Sequence, residues 1–183
     1  MEGRAAQLSE LAEVRVRLAD AGDAPVLPVI EQVAGERFRT IPELAFVADH
    51  DPSFDQSILD PALDEGRVWV AEAKDEVVGY VLALDLDGQP HLEQISVLPE
   101  WSGRGVGRKL IDAVCGWARG RAPFVTLATF RDVPWNGPLY AHLGWSVVPE
   151  EEVAADPRLL AVRAEEAEHG LDPGSRVFMR LPV

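Results

Sequence analysis

The sequence has almost no sulfur chemistry, with one cysteine, Cys115, in 183 residues. A lone cysteine cannot form an internal disulfide, so the chain suits a reducing compartment and we predict a cytoplasmic protein. Long apolar runs are also missing, since none approaches the ~20 residues that span a bilayer. The amino-terminal segment MEGRAAQLSELAE lacks the apolar stretch of a signal peptide. We therefore expect no membrane association.

Positive charge is scarce as well. The chain has 17 Lys and Arg against 31 Asp and Glu, a formal net charge of -14. Proteins that bind nucleic acid nonspecifically neutralise phosphates with Lys and Arg, so we expect no nucleic-acid partner. The acidic balance favours a cationic or amine partner.

Several catalytic motifs are absent too. The sequence contains no GxSxG, no HExxH and no CxxC pattern, which removes the usual signs of serine hydrolase and zinc chemistry. The four histidines are isolated from one another in the sequence, and each is interpreted as a surface or hydrogen-bonded histidine: His50, His91, His142 and His169. We therefore expect no metal.

With 47% hydrophobic and 26% charged residues, the chain resembles an ordinary globular protein. Its length suits a single domain over residues 1–183. Hydrophobic periodicity and turn residues predict the order β-α-α-β-β-β-α-β-α-β-(α)-β, a mixed α/β sheet. The early elements are predicted at Glu13–Leu18 (strand), Ala24–Phe38 (helix), Thr40–Pro52 (irregular), Phe54–Asp64 (helix capped by Ser53), Arg67–Ala73 (strand) and Val77–Leu86 (strand). The later ones are Asp87–Pro90 (turn), Glu150–Glu152 with Asp156 (acidic loop), Pro157–His169 (helix) and Val177–Leu181 (strand).

Leu92–Arg119 carries the strongest functional signal. A strand over Leu92–Leu98 leads into a turn with three glycines, Gly103, Gly105 and Gly107, and apolar residues at helical spacing follow. A helix that opens from a glycine turn presents unpaired N–H groups and a partial positive charge, which together favour an anion. The local cations Arg104, Arg108 and Lys109 strengthen that prediction.

Two other glycine-rich phosphate loops fail on spacing. A Walker A loop and a GxGxxG dinucleotide loop that start at Gly103 both meet Arg108 where a glycine is required. After the helix, Phe124–Phe130 should form a strand parallel to Leu92–Leu98 through a right-handed crossover. Ligands tend to bind where such parallel neighbours separate.

A second motif lies downstream, in the segment Pro134–Tyr140 (PWNGPLY) and in Leu143-Gly144-Trp145. Together with Ser102–Gly107 (SGRGVG), it resembles the GNAT (general-control-related N-acetyltransferase) superfamily. Ser102 departs from the family pattern, which has a long polar residue there. The resemblance is strongest over residues 67–148. It implies a single domain with a mixed, mostly antiparallel sheet of six to seven strands, whose central parallel pair is flanked by helices.

The resemblance also implies a site that binds acetyl-CoA as co-substrate. Its pyrophosphate would lie on the turn, at Gly103, Arg104, Gly105, Val106, Gly107 and Arg108. The pantetheine arm would pair with Ile95, Ser96 and Val97, and Asn136 would contact the cofactor unless it is only a turn residue or helix cap. Tyr140 corresponds to the family's general acid, although a core tyrosine is the alternative.

Glu93 is the best candidate for the general base. Alternation along the strand places it on the face of Ile95 and Val97, where partial burial would raise its pKa. The weaker rivals are Glu72, Asp85 and Asp87, and water alone is a further alternative. Trp69, Tyr80, Trp135 and Trp145 are predicted either to line an acceptor pocket or to belong to the core.

The expected function is acetyl transfer from acetyl-CoA to a primary amine of a small molecule or peptide, by direct attack in a ternary complex. The acceptors considered are a polyamine, an aminoglycoside-like amine, a lysine and an N-terminal amine. Two alternatives stay open: a noncatalytic acetyl-CoA or CoA sensor on the same fold, and a nucleotide-phosphate enzyme. A homodimer is compatible with the sequence.

Overall fold

A computed structural model describes residues 14–49 and 56–183, with only the backbone at residues 56 and 57. The segment before Val14, with Glu13, and the predicted cap Ser53 lie outside the described residues, as does His50. The described strands are β1 (Arg15–Leu18), β2 (Val68–Ala73), β3 (Glu76–Leu86), β4 (Gln89–Val97), β5 (Phe124–Phe130), β6 (Ser146–Val147) and β7 (Arg176–Pro182). The described α-helices are α1 (Leu27–Gly35), α2 (Ala45–Asp49), α3 (Gln56–Asp64), α4 (Val106–Ala118), α5 (Gly137–His142), α6 (Glu150–Ala155) and α7 (Pro157–Glu168).

The strands form one mixed sheet of seven strands in the order β1-β2-β3-β4-β5-β7-β6. β4 and β5 run parallel, with His91 opposite Thr126 and Leu92 opposite Leu127. The antiparallel pairs are β1 with β2, β2 with β3, β5 with β7, and β6 with β7. The predicted mixed sheet with a parallel pair and flanking helices is confirmed.

β4 begins three residues before the predicted start of its strand. Asp87 and Gly88 both have positive φ, 50° and 84°, so two residues complete the hairpin turn. Gln89 and Pro90 therefore belong to the strand, and the prediction of a four-residue turn at Asp87–Pro90 was wrong.

Two predictions of irregular structure were also wrong. Ala45–Asp49 is an α-helix inside the segment predicted to be irregular. Glu150–Ala155 is a helix and not an acidic loop. Its first turn holds three glutamates, which the positive end of the helix dipole stabilises. Asp156 then caps the next helix, α7, by accepting a hydrogen bond from the backbone N–H of Arg158.

The described residues divide into two compact units. The first contains those up to Ala83 and Gln94–Val114. Its core contains Leu27 and Ile30 of α1, Val70 of β2 and Leu110 of α4, none more than 1% exposed. Burial of each aliphatic side chain contributes about 1.5–3 kcal/mol relative to exposure. This core anchors α1, β2 and α4.

The second unit contains Leu84–Glu93 and Cys115–Val183. One of its hydrophobic clusters joins α6, α7 and β7: Val148, Val153, Leu159, Val162 and Phe178. The Arg163 guanidinium lies 5.6 Å from the Phe178 ring centre and pairs with Glu150 at 2.6 Å. These contacts explain why the acidic segment folds as a helix against the sheet.

Candidate active site

The glycine turn joins β4 to α4 as predicted. After Val97 the chain makes a short 3₁₀ turn at Pro99–Trp101 and enters α4 at Val106. Gly103 and Gly105 have φ of 72° and 88°, in the left-handed region that side chains with a Cβ disfavour. The Gly105 carbonyl accepts the Lys109 N–H at 3.2 Å, the first bond of the helix. The first N–H groups of α4 therefore have no partner within the helix.

The three cations near this turn differ in their contacts. The Arg104 guanidinium lies 5.4 Å from the centre of the Trp101 ring, while Arg108 is exposed. Lys109 donates a hydrogen bond from Nζ to the Val14 carbonyl at 2.8 Å. Lys109 therefore ties α4 to the chain before β1, and Arg108 is the most exposed of the three cations.

The end of β4 lies close against β3. A Cβ added to Gly79 of β3 would lie 2.8 Å from the Ser96 carbonyl oxygen and 3.1 Å from a Val97 methyl. One residue beyond β4, the Leu98 N–H donates to the Val78 carbonyl at 2.9 Å. The backbone of Ser96 and Val97 is therefore held on its β3 side by a contact that only glycine permits.

A buried polar network, not predicted from the sequence, lies beside this strand. Tyr80 of β3 is fully buried, and its hydroxyl donates to Glu31 Oε2 of α1 at 2.8 Å. Burial raises the pKa of Glu31 from its ordinary value, and the Tyr80 hydrogen bond opposes that rise. Burial, the Glu31 charge and the Glu31 hydrogen bond raise the pKa of Tyr80, while hydrogen bonds from Ser96 and Gln94 lower it. The network links α1 to β4.

A sequence signal for Glu31 does exist. Glu31 follows Ile30 directly and comes four residues after Leu27, so it borders the apolar stripe of α1. A single carboxylate beside a buried stripe is uncommon, because burial of its charge is costly unless it is paired. Tyr80, predicted as either pocket or core, is a core residue with a polar role.

Glu93 is exposed, so the expected partial burial of this candidate base was wrong. Its Oε2 lies 3.6 Å from Nε2 of His91. His91 is 1% exposed, and burial, followed by the charge of Arg176, lowers its pKa to about 4. His91 is therefore neutral at pH 7 and the contact is not an ion pair. Its Nδ1 lies 2.9 Å from the Thr126 hydroxyl, which confirms a hydrogen-bonded histidine.

Two rival carboxylates are engaged in local structure. Glu72 accepts hydrogen bonds from Arg15 and Arg17, at 3.1 and 2.8 Å. The Arg17 hydrogen bond is the largest cause of the lowered pKa of Glu72. Asp85 accepts from the Gly88 N–H at 2.5 Å in the hairpin turn. Glu72 therefore joins β2 to β1, and Asp85 stabilises the turn between β3 and β4.

The second motif forms the start of α5 in the second unit. A Cβ on Gly137 would lie 2.4 Å from the Arg131 carbonyl oxygen, so only glycine fits there. Asn136 precedes the helix without capping it. Its Nδ2 donates to Thr129 Oγ1 at 3.0 Å, while its buried Oδ1 has no hydrogen-bond partner among the described residues. A buried acceptor without a donor is costly in the free protein, and a ligand N–H would satisfy it.

Tyr140 of α5 is 8% exposed. Its ring meets Trp145 edge-on at 5.7 Å between centroids, and its carbonyl accepts the Trp145 N–H at 3.0 Å. Trp145 is 4% exposed and Trp69 is 8% exposed, so these two tryptophans belong to the core. The Tyr140 ring is therefore held by packing, a rigid setting for its hydroxyl.

The predicted site residues fall into two groups. The first unit holds Ile95, Ser96, Val97 and the turn from Gly103 to Arg108. The second holds Glu93, Asn136 and Tyr140. Among the described residues, no group of three or more His, Cys, Asp or Glu is arranged to hold a metal, and no helix is long and apolar enough to cross a membrane.

Part of the chain is similar to a known family. Residues 64–147 match the family model described as the acetyltransferase (GNAT) domain. This segment, just under half of the chain, is therefore similar to the GNAT acetyltransferases.

Solved structures share the fold. The PaiA N-acetyltransferase of Thermoplasma acidophilum, in complex with coenzyme A, has a TM-score of 0.69 at 11% identity and covers 93% of this chain and 99% of its own. Rv2747 of Mycobacterium tuberculosis, in complex with CoA and NLQ, has a TM-score of 0.61 at 20% identity over 92% and 99%. An Arabidopsis thaliana protein in complex with the bisubstrate analogue CoA-Ac-MVNAL has a TM-score of 0.56 at 14% identity over 75% and 85%.

Proposed function

We propose that the protein transfers an acetyl group from acetyl-CoA to a primary amine of a small molecule or peptide, by direct attack while both substrates are bound. The observation that carries this proposal is the turn after β4, where Gly103 and Gly105 adopt left-handed backbone and deliver the chain into α4. The two compact units would then work as one acetyltransferase domain over residues 1–183.

The described residues fit a CoA co-substrate. The N–H groups from Arg104 to Arg108 would receive its pyrophosphate at the positive end of α4. Arg108, exposed beside the turn, adds charge, and the unpaired Oδ1 of Asn136 suits an amide N–H of the pantetheine arm. Ser102 occupies the first position of the phosphate pattern, where the family has a long polar side chain. Its hydroxyl donates to the Leu98 carbonyl at 3.4 Å, so Ser102 would not supply the contact that a long polar side chain makes there.

The relatives support this choice of ligand. Two of the similar structures contain CoA. A third contains a bisubstrate analogue, the type of ligand that mimics two substrates held together. Attack within a ternary complex accounts for such binding directly.

Acetyl-CoA supplies a thioester whose carbonyl carbon is attacked. Backbone N–H groups of Ile95–Val97 would stabilise the negative charge that develops on the carbonyl oxygen. Glu93, as an exposed carboxylate, would take the proton of the acceptor ammonium through water. The C–N bond then forms, the C–S bond breaks, and Tyr140 would give its hydroxyl proton to the departing thiolate. The second proton of the acceptor nitrogen would return through water to the Tyr140 phenolate, which leaves the amide, the CoA thiol and a neutral tyrosine.

Three further parts of the proposal concern the compartment, the acceptor and the assembly. We place the protein in the cytoplasm because its single cysteine suits a reducing compartment. The acceptor is an amine because the chain is strongly acidic. A homodimer is the assembly to be checked by light scattering.

Thermal denaturation with acetyl-CoA, ATP and NAD tests the ligand, because a ligand bound to the native state alone raises Tm. A rise with acetyl-CoA and CoA only is expected, and a rise with ATP or NAD alone would contradict the proposal. Release of the CoA thiol across an amine panel then separates an enzyme from a sensor. Tyr140→Phe should lower kcat roughly 10²-fold with unchanged CoA affinity, whereas unchanged kcat would remove the acid role.

A further inference from the structure

Glu31 is a carboxylate whose charge no described cation offsets. It is half-buried on α1, and its hydrogen-bond partner is the Tyr80 hydroxyl at 2.8 Å. Burial raises the pKa of Glu31 and the Tyr80 hydrogen bond lowers it, and no cation contributes. Other buried or partly buried carboxylates of the first unit behave differently. Asp23, for example, is paired with Arg17 at 2.6 Å.

A purely structural role would not require a charge here. A neutral amide or hydroxyl would accept the Tyr80 hydrogen bond at a smaller desolvation cost. Burial raises the pKa of Glu31, which shows that the surroundings oppose its ionised form. A cation that binds beside an uncompensated carboxylate of this kind would offset its charge.

The network places this carboxylate next to the thioester strand. Tyr80 carries the contact from Glu31 on α1 to the side chains of Gln94 and Ser96 on β4. Gln94 Nε2 also donates to Ser96 Oγ at 3.1 Å. Ser96 lies between Ile95 and Val97, whose backbone is proposed to hold the thioester. Two hydrogen-bonded links therefore separate Glu31 from that strand.

From this geometry we propose that Glu31 is the carboxylate that binds the acceptor as its alkylammonium ion, with Tyr80 as the positioning residue that orients it. The inference rests on the proposed acetyl transfer and adds the residue that selects a protonated amine over a neutral molecule of the same shape. Recognition by Glu31 governs KM for the acceptor, while proton removal governs kcat.

Glu31→Gln is the discriminating variant because the amide oxygen can still accept the Tyr80 hydrogen bond while the charge is lost. Glu36→Gln is the matched control. Glu36 lies just after α1, is exposed and pairs with Arg39 at 2.8 Å, so its replacement removes the same charge away from the network. Tyr80→Phe tests the positioning role, because it keeps the Glu31 carboxyl but removes the hydrogen bond that orients it and opposes the rise in its pKa.

The probe is n-hexylamine, with n-hexanol as its neutral counterpart, titrated by thermal shift against CoA-loaded protein. Wild-type and E36Q proteins should bind the amine at least ten-fold more tightly than the alcohol, about 1.4 kcal/mol, and E31Q should lose that preference. With any amine that releases CoA, E31Q should raise KM about ten-fold while kcat changes little, and Y80F should show a smaller rise in KM.

Equal binding of amine and alcohol by the wild-type protein, or an E31Q variant that keeps the preference, would overturn the proposal. A loss of kcat with unchanged KM in E31Q would also overturn it, since that pattern belongs to proton transfer. Failure of the acetyltransferase proposal is separate, because it would appear as absence of stabilisation by CoA in the wild-type protein.

Discussion

The free energy of unfolding should depend on pH because His91 is a buried histidine. His91 of β4 lies opposite Thr126 of β5 and is 1% exposed. Burial is the main cause that lowers its pKa from 6.5 to about 4. When the pH falls below 7, the imidazole of the unfolded chain is therefore protonated before that of the folded chain. The stability that neutral His91 provides is present above pH 6.5 and is lost as the pH falls toward 4.

The size of this effect follows from the two pKa values. They differ by about 2.5, which corresponds to about 3.4 kcal/mol over the whole range. Because most of the titration of the unfolded state lies above pH 5, about 1.8 kcal/mol of that loss falls between pH 7 and pH 5. The free energy of unfolding should decrease by this amount on account of His91 alone.

Urea denaturation at pH 7 and pH 5, followed by tryptophan fluorescence, measures this decrease in the free energy of unfolding. His91→Phe has an aromatic ring of similar size that does not titrate, so its loss between the two pH values should be smaller than the wild-type loss by about 1.8 kcal/mol. His142→Asn is the control, because His142 is exposed. If H91F and wild type lose the same stability, the buried neutral imidazole does not control acid sensitivity and the reasoning fails.

Four other substitutions, of which Gly88→Ala is a control, test the cofactor side and the base. Gly105→Ala and Gly88→Ala place a Cβ on backbone with nearly equal φ, 88° and 84°, and each should lose about 1–2 kcal/mol of stability. Only G105A should weaken CoA binding, roughly ten-fold by titration, and equal CoA affinity would contradict the phosphate turn. Gly79→Ala, whose Cβ would lie 2.8 Å from the Ser96 carbonyl oxygen, should cost about 1–3 kcal/mol and weaken CoA binding; an unchanged Tm would speak against the close contact. Glu93→Gln should lower kcat about 10²-fold in stopped-flow thiol release, and full turnover would remove Glu93 from the mechanism.

Local features of the fold were predictable from the sequence. The turn between β4 and α4 depends on glycines a few residues apart and on a helical stripe that starts at Val106, so neighbouring residues carry the information. The same is true of the parallel pair β4 and β5, because a strand, a helix and a strand in succession leave one common arrangement. The helix at Glu150–Ala155 was missed since its acidic surface resembles a loop until Arg163 and Arg180 are placed against it.

The sequence by itself thus determined the glycine turn and the resemblance to the GNAT acetyltransferases, because each depends on residues close together in the chain. Only the tertiary structure decided which carboxylates are exposed and which are buried. Glu93 is exposed, contrary to the alternation of its strand. Glu31 meets Tyr80 across 49 residues of sequence. Burial and pairing depend on the packing of distant segments, so local periodicity can place Glu31 beside an apolar stripe but cannot name its partner.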